Sequence, residues 1–271
     1  MSDLSPVSST RTPLVAAVLR RRLVLPDRLW TSLEVADTVG SSNVALAQKA
    51  KAAAPAGAVL VAEEQTAGQG RRGRGWSAPQ YSSVMVSVLV RPGAEPARWG
   101  WIPLLTAVAI VDALQELDVH ATVKWPNDVL VEDRKIAGVL CEVVPTPGGS
   151  AVVVGWGINV DQQAAELPVE SATSVRLEGG SLDRATLILG VLDAWESWYR
   201  RWLADDATLR ETYVRYSSTL GQEVRLDLPD GRLLRGTATS IDVRGGLVVM
   251  AEGQEHVVPA ADVVHVRPDQ D

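Results

Sequence analysis

Gly68-Gln69-Gly70-Arg71-Arg72-Gly73-Arg74-Gly75-Trp76 places four glycines and three arginines in nine residues, with no acid among them. The preceding run Ala58-Val59-Leu60-Val61-Ala62-Glu63 predicts a buried strand, and Val84-Met85-Val86-Ser87-Val88-Leu89-Val90 predicts another after it. The stretch is therefore a loop between two strands. It has almost nothing apolar to bury, and fixing its backbone costs roughly 1–2 kcal/mol per residue, more at glycine. The expectation is a loop that stays loose until an anionic ligand orders it. Arginine supplies paired donors to phosphate or carboxylate, and glycine lets backbone N–H groups come close. A flexible, solvated surface loop is the plain alternative, and the rest of the chain must choose.

The chain has 271 residues, enough for one large domain or a large and a small one. Its 46% hydrophobic and 22% charged residues fit an ordinary globular protein. A formal net charge of -7 argues against non-specific nucleic-acid binding, which needs a basic face. With Cys141 as the single cysteine, no intramolecular disulfide can form, which suits a reducing cytoplasm. Cys141 lies in the apolar run Gly138–Val143 and reads as a core residue ahead of a nucleophile. His120, His256 and His265 are too scattered for a local metal motif. No apolar run reaches membrane-spanning length. Pro13–Leu19 is apolar, but Arg20-Arg21-Arg22 follows it, whereas a secretory signal has its positive charge first.

Taken in order, residues 1–11 are rich in Ser, Thr and Pro and predict a loose tail. A short helix is expected over 12–24. Ser41 or Ser42 can cap a helix reaching about Ala54, stopped by Pro55. Pro103 starts a further helix with Leu104, Val108, Val111 and Leu114 near one face. Strands follow at Thr122–Trp125 with Val129–Glu132, Lys135–Val144 and Ala151–Val160, joined by links so short that neighbours must be antiparallel. The class is therefore α+β with a mixed or antiparallel sheet. From Asp183 a long helix carries Leu187, Val191, Trp195, Trp198 and Trp202, a stripe read as core rather than as a base-stacking platform. Residues 222–267 change character: short strands, with turns at Pro229-Asp230-Gly231 and Arg244-Gly245-Gly246, resemble a small SH3-like β-barrel. The implied organisation is a tail and short helix over 1–26, a main domain over 27–220 and the small domain over 221–271.

Gly68 to Gly73 formally matches the dinucleotide G-x-G-x-x-G, but no helical pattern follows to present an N-terminus to a pyrophosphate. A kinase glycine loop also lies between strands, but the chain has no phenylalanine for the kinase D-F-G motif. No Gly-Lys pair exists for a Walker loop. Four other constellations carry polar groups. Lys124-Trp125-Pro126-Asn127-Asp128 puts Lys124, Asn127 and Asp128 at a strand end, or forms an Asx turn. Lys135-Ile136-Ala137-Gly138 follows 11 residues after Lys124, across a tight hairpin, so Lys135 can reach the same place or stay solvated. Gly155-Trp156-Gly157-Ile158-Asn159 has mid-strand glycines that admit a close approach. Ser41-Ser42-Asn43 offers helix caps, ligand hydrogen bonds, or both.

In combination these five stretches resemble biotin protein ligases. That family's ordered motifs are Ser-Thr-Asn, a Gln followed by Ala-Gly-Arg-Gly-Arg-x-Gly-Arg, Lys-Trp-Pro-Asn-Asp, Lys-(Leu/Ile)-Ala-Gly, and a Gly-x-Gly-(Ile/Leu)-Asn strand. Here they stand as Ser41-Ser42-Asn43, Gln65 with Ala67–Arg74, Lys124–Asp128, Lys135–Gly138 and Gly155–Asn159, with matching order and spacing from about residue 28 to 267. The resemblance implies a mixed sheet like that of class II aminoacyl-tRNA synthetases and biotin ligases, flanked by helices, with an SH3-like C-terminal domain.

It also implies an activity. Biotin and ATP, with Mg2+, would form biotinyl-5′-AMP, and a lysine of a biotin carboxyl carrier domain of acetyl-CoA carboxylase or a related carboxylase would accept the biotinyl group. By the family pattern Ser41, Ser42, Asn43, Gln65, Gly68, Gln69, Gly70 and Gly138 hold biotin and its approach. Arg71 and Lys135 hold the carboxylate and phosphate, and Asp128 orients the incoming lysine. Arg74, Trp76, Pro79, Lys124, Asn127 and Asn159 line the nucleotide side; no protein motif for a metal is present. The sequence departs from the pattern twice: Ser42 replaces threonine, and Gln69 replaces the loop's first arginine. The rival readings are a lipoate ligase of related fold, a binding module docking a partner on its barrel, and a transcriptional regulator. Some family members carry an N-terminal winged helix, but only about 25 residues precede the pattern here, short of the roughly 50 of a small domain. The expectation is therefore a cytoplasmic ligase without DNA or membrane binding.

Overall fold

Successive strand side chains point to opposite faces of a sheet, and the middle strands of this chain use that alternation to separate core from site. The computed structural model describes residues 11–228, 231–259 and 262–265. The Ser/Thr/Pro-rich residues 1–10 and the Pro229-Asp230 part of the expected turn lie outside the described residues. In chain order the elements are α1 (Ala16–Leu23), β1 (Ser32–Ala36), α2 (Ser42–Lys51), β2 (Ala58–Ala62), β3 (Ser83–Val90), α3 (Trp101–Gln115), β4 (Thr122–Lys124), β5 (Asp128–Val131), β6 (Arg134–Thr146) and β7 (Gly149–Asn159). Then follow α4 (Arg184–Leu203), α5 (Thr208–Tyr216), β8 (Glu223–Asp227), β9 (Leu233–Ile241), β10 (Leu247–Ala251), β11 (Gln254–Val258) and β12 (Asp262–His265).

The main sheet has seven strands in the order β1-β2-β3-β7-β6-β5-β4. Only β1 and β2 run parallel, and every other neighbouring pair is antiparallel, so the sheet is mixed. Val84, Val86, Val88 and Val90 of β3, with Val152, Val154, Trp156 and Ile158 of β7, enter one core with α3 and α4. The opposite face receives Leu46 and Ala50 of α2, which pack on Leu89, Val144, Ala151 and Val153. α2 covers only part of that face. Beyond it β7 presents Gly155, Gly157 and Asn159, and the cavity described below opens there.

α3 begins at Trp101, two residues before Pro103, and is buried nearly all round. The one-sided stripe expected from Leu104, Val108, Val111 and Leu114 is corrected: the helix is held between the sheet and α4, and a helix so enclosed is apolar on every side. α4 keeps its expected start, where the Asp183 carboxylate accepts from the backbone N–H of Ala185 and Thr186 at 3.0 and 3.1 Å. Its aromatic stripe is core. Trp195 stacks on Tyr199 at 4.8 Å and meets Trp30 at 5.5 Å, and half-buried Trp198 donates its indole N–H to Asp112 at 2.6 Å. Arg11, expected in a loose tail, is instead held by the carboxylates of Asp161 and Glu166.

The second sheet is antiparallel throughout, in the order β11-β10-β9-β8-β12. Its turn at 242–246 seats on the first unit. Trp101 donates to Asp242 O at 3.0 Å and Trp125 donates to Gly245 O at 3.1 Å. Gly245 is at φ 86° with its Cα side against Gly100, where a Cβ would come within 2.5 Å of backbone. From the other side, Arg72 of the glycine/arginine loop donates to Asp227 O at 3.0 Å.

Candidate functional site

A cavity of about 520 Å³ lies on the face of the sheet that α2 leaves open. Its floor is one side of β7 with the adjoining part of β6. Gly155, Gly157 and Asn159, two residues apart, follow one another along it. At one end Asn43 Oδ1 fills the space over Gly155, where a Cβ would stand only 2.1 Å away. In the middle, the Trp76 indole lies on Gly157, whose Cβ would be 2.3 Å from Cε2, and touches Gly138. Lys135 Nζ stands 5.9 Å from the indole centre. At the other end lie Asn127, Asp128 and Asn159.

The Asn43 end is a hydrogen-bonded polar network. Asn43 Nδ2 donates to Leu140 O (3.2 Å) and Glu142 (2.8 Å), and its Oδ1 accepts from Ser87 (2.7 Å). Ser42 donates through its backbone N–H and its hydroxyl to Gln65 Oε1, at 2.7 and 3.0 Å, and its Oγ lies 2.8 Å from Ser87 Oγ. Ser42, Asn43 and Ser87 are buried and hydrogen-bonded to one another or to their neighbours, while among the described residues Gln65 Nε2 meets only Met85 Sδ, at 3.4 Å. Ser41 occupies the N-cap position of α2, yet its side chain makes no capping bond, so the capping reading of Ser41 is corrected.

The glycine/arginine loop closes on itself. Gly70 N–H bonds Arg74 O (2.6 Å), Arg74 N–H bonds Arg71 O (3.2 Å), and Trp76 N–H bonds Gly68 O (2.9 Å). Arg72 takes φ 54° at the tip. One side chain of the loop does pack, because the Trp76 ring lies on the glycine floor. Arg71 points inward and donates to Asn127 Oδ1 at 3.1 Å, and Asn127 Nδ2 in turn donates to Val139 O at 2.9 Å. Lys135 Nζ pairs with Asp128 Oδ1 at 2.6 Å. Burial, then the nearby Glu142, pushes the Cys141 thiol well above its ordinary pKa, which suits a packing residue and not a nucleophile.

Of the residues singled out from sequence, Ser41, Ser42, Asn43, Gln65, Gln69, Gly70, Arg71, Arg74, Trp76, Lys124, Asn127, Asp128, Lys135, Gly138 and Asn159 line this one cavity. Gly68 and Pro79 are not among its lining residues. Gly68 supports from behind: a Cβ there would meet Trp76 O at 2.2 Å. Pro79 O accepts from Ser82 outside the wall. Sequence reasoning missed Ser77, Leu130 and Asp133, and the strap Pro168, Val169, Ser171 and Ala172. The strap is fixed by the backbone of Lys135, whose N–H bonds Ser171 O at 2.8 Å and whose carbonyl accepts from Thr173 at 2.9 Å. It has no local pattern to betray it. Ser87 was legible, as the one polar residue in the run Val84–Val90.

Two family profiles match the chain: the biotin/lipoate A/B protein ligase family over residues 36–159, and the biotin protein ligase C-terminal domain over 219–266. The biotin–[acetyl-CoA-carboxylase] ligase of Mycobacterium tuberculosis is 36% identical over 263 residues, covering 95% of this chain and 97% of that protein. The chain belongs to the biotin protein ligase family. Among other members of the biotin protein ligases, the bifunctional ligase/repressor BirA of Bacillus subtilis is 30% identical over 94% of this chain and 78% of that protein. The biotin protein ligase of Aquifex aeolicus, solved in complex with biotin and ATP, superposes with a TM-score of 0.76 at 26% identity, over 88% of this chain and all of that one. Biotin ligase architecture thus accounts for both sheets.

Proposed function

We propose that this chain is an ATP-dependent biotin protein ligase. The observation that carries the reading is the coincidence, in one cavity, of a paired polar end at Ser42, Asn43 and Gln65, a glycine floor, and the cations Arg71 and Lys135. A buried end rich in oriented donors and acceptors suits a neutral polar head such as biotin's cyclic urea. It suits the apolar dithiolane of lipoate poorly, because unmet polar groups would be left buried.

In the first half-reaction a carboxylate oxygen of biotin attacks the α-phosphorus of ATP. The bond from that phosphorus to its bridging oxygen breaks, and pyrophosphate leaves with the electron pair. Two anions must meet, so fixed cations placed where charge develops do most of the work. Arg71, steadied by Asn127, and Lys135, steadied by Asp128, take that role. Asn127, Asn159, Arg74, Lys124 and Trp76 form the nucleotide side. In the second half-reaction the neutral amine of a carrier lysine attacks the carbonyl of the mixed anhydride, AMP leaves, and the amine sheds a proton. Asp128, at the cavity wall, orients that lysine. The loop from Gly68 to Trp76 shields the anhydride from water.

Mg2+ belongs to the reading as the ion carried by ATP. Asp128 and Asp133 line the cavity, and magnesium characteristically rests on one or two carboxylates together with substrate phosphates. When bound it offsets phosphate charge. Among the described residues no cluster of three or more His, Cys, Asp or Glu side chains forms a metal cage of its own. The acceptor is a carrier domain of a biotin-dependent carboxylase, and the compartment the cytoplasm. Among the described residues no helix is long and apolar enough to cross a membrane.

ATP–pyrophosphate exchange run in parallel with biotin and with lipoate tests the reading. Biotin-dependent exchange, followed by transfer to a carrier domain, is expected; exchange with lipoate alone would reassign the chain to the lipoate ligases.

A further inference from the structure

Asn159 lines the cavity with its side-chain amide engaged at both ends. Nδ2 donates to Thr173 O at 2.9 Å, and Oδ1 accepts from Gln162 Nε2 at 3.1 Å. Gln162 is 1% exposed and does not itself line the cavity. Its Nε2 also donates to Ser83 Oγ at 2.6 Å, while its Oε1 is buried without a partner.

An amide turned end for end keeps nearly the same shape, so an asparagine alone can offer a ligand its donor and acceptor in either order. A backbone carbonyl has one polarity only. Thr173 O therefore compels Nδ2 of Asn159 to face it, which turns Oδ1 toward Gln162 and compels Gln162 to present its NH2. The orphaned Gln162 Oε1 is the consequence of this wiring. Turning Gln162 over would set its oxygen against that of Asn159. Each Asn159 amide atom keeps one unused capacity, a lone pair on Oδ1 and an N–H on Nδ2.

We propose that Gln162 is a positioning residue that locks the Asn159 amide in one orientation and so selects a purine bearing a 6-amino group over its 6-oxo counterpart. Adenine presents an amino donor beside a ring-nitrogen acceptor, and hypoxanthine presents the same two positions reversed. A locked amide matches one and opposes the other; a freely turning amide accepts both. The proposal rests on the nucleotide-side placement of Asn159 under the ligase reading.

The test is biotin-dependent pyrophosphate exchange with ATP and with ITP, for the wild type and for Gln162→Met and Gln162→Asn. The wild type is expected to favour ATP by about a hundredfold or more in kcat/KM. Both variants should narrow that ratio by about tenfold, with the change in the nucleotide KM and with biotin Kd unaltered. Equal use of ATP and ITP by a wild type that exchanges ATP overturns the proposal while leaving the ligase reading intact. So does a variant in which ATP and ITP fall in parallel, the behaviour of a mere packing residue. Absence of any exchange with biotin and ATP removes the ligase reading and this proposal together. Where one variant does not fold, the other decides.

Discussion

Lys135 Nζ and Asp128 Oδ1 lie 2.6 Å apart across the β5–β6 hairpin, so the cation assigned to the phosphate and the carboxylate assigned to the acceptor lysine hold each other in place. The pair is partly open to water, with side-chain exposures of 35% and 27%. A pair of that kind contributes about 0–1 kcal/mol to folding. Lys135→Ala should therefore melt within a few degrees of wild type. A charge-assisted bond to the reacting anion is worth about 1.5–3 kcal/mol, so adenylate formation should fall by roughly one to two decades. An unchanged single-turnover rate would remove Lys135 from the site.

Arg71→Gly removes the guanidinium steadied by Asn127 and frees the loop backbone at the same position. The expected outcome is an enzyme that still forms adenylate but releases it, labelling bystander proteins. Retention of the intermediate for as long as in wild type would assign the clamp to another group.

Gly157→Ala drives a methyl into the Trp76 indole, a rigid ring that cannot fold away as a lysine could. Overpacking of this kind costs about 1–3 kcal/mol, and because Trp76 belongs to the nucleotide side, ATP affinity should weaken roughly five- to hundredfold. Gly148→Ala, with nothing within 4 Å of its added methyl, is the control and should bind as wild type. Calorimetric titration with ATP measures both.

Gln69 lies at the cavity wall, paired by its backbone with Gly75, and its side chain brings no charge. Gln69→Arg supplies a five-donor fork. Biotin binding should tighten and the intermediate persist longer, by about tenfold for about 1.4 kcal/mol. If neither quantity moves by a factor of two, the loop uses only its main chain at position 69.

The Asp183 carboxyl is held below the usual carboxylate range, first by Thr186 Oγ1 and then by the N–H groups that open α4. A depressed folded-state pKa stabilises above the unfolded value of about 3.9, and that stability drains away as pH falls through the folded value. Asp183→Ala should cost about 1 kcal/mol at pH 7. The gap to wild type should shrink as the pH drops below about 4; urea midpoints at the two ends of this range would expose a pH-independent gap if the cap acts only sterically.

Strand and hairpin patterns placed the middle of the sheet well, because Val84–Val90 and Ala151–Val160 carry their own period and their short links force antiparallel pairing. The five polar stretches also converged as expected on one cavity. The failures share a physical cause. Trp76 reads locally as the end of a solvated loop, and only the absence of side chains at Gly138 and Gly157, far along the chain, gives its ring a bed. The strap at 168–172 has no period of its own and is held by the main chain of Lys135. α3 is apolar all round, with Ile102, Leu105 and Ile110 on its other faces as well, because it is enclosed between the sheet and α4.

The hold of the C-terminal sheet on the site is made with main-chain oxygens: Asp227 O for Arg72, Asp242 O for Trp101 and Gly245 O for Trp125. Every amino acid has that oxygen. Apart from Gly245 and the buried side chains of the sheet, such as Leu226 and Leu247, its residues can therefore change through evolution, provided the path of the chain is kept, without loosening the arginine loop or the tryptophan of the Lys-Trp-Pro-Asn-Asp turn. Chimaeras that graft the corresponding sheet from a distant relative should stay active when the turn at 242–246 keeps its length, and lose the seat when a single residue is inserted there.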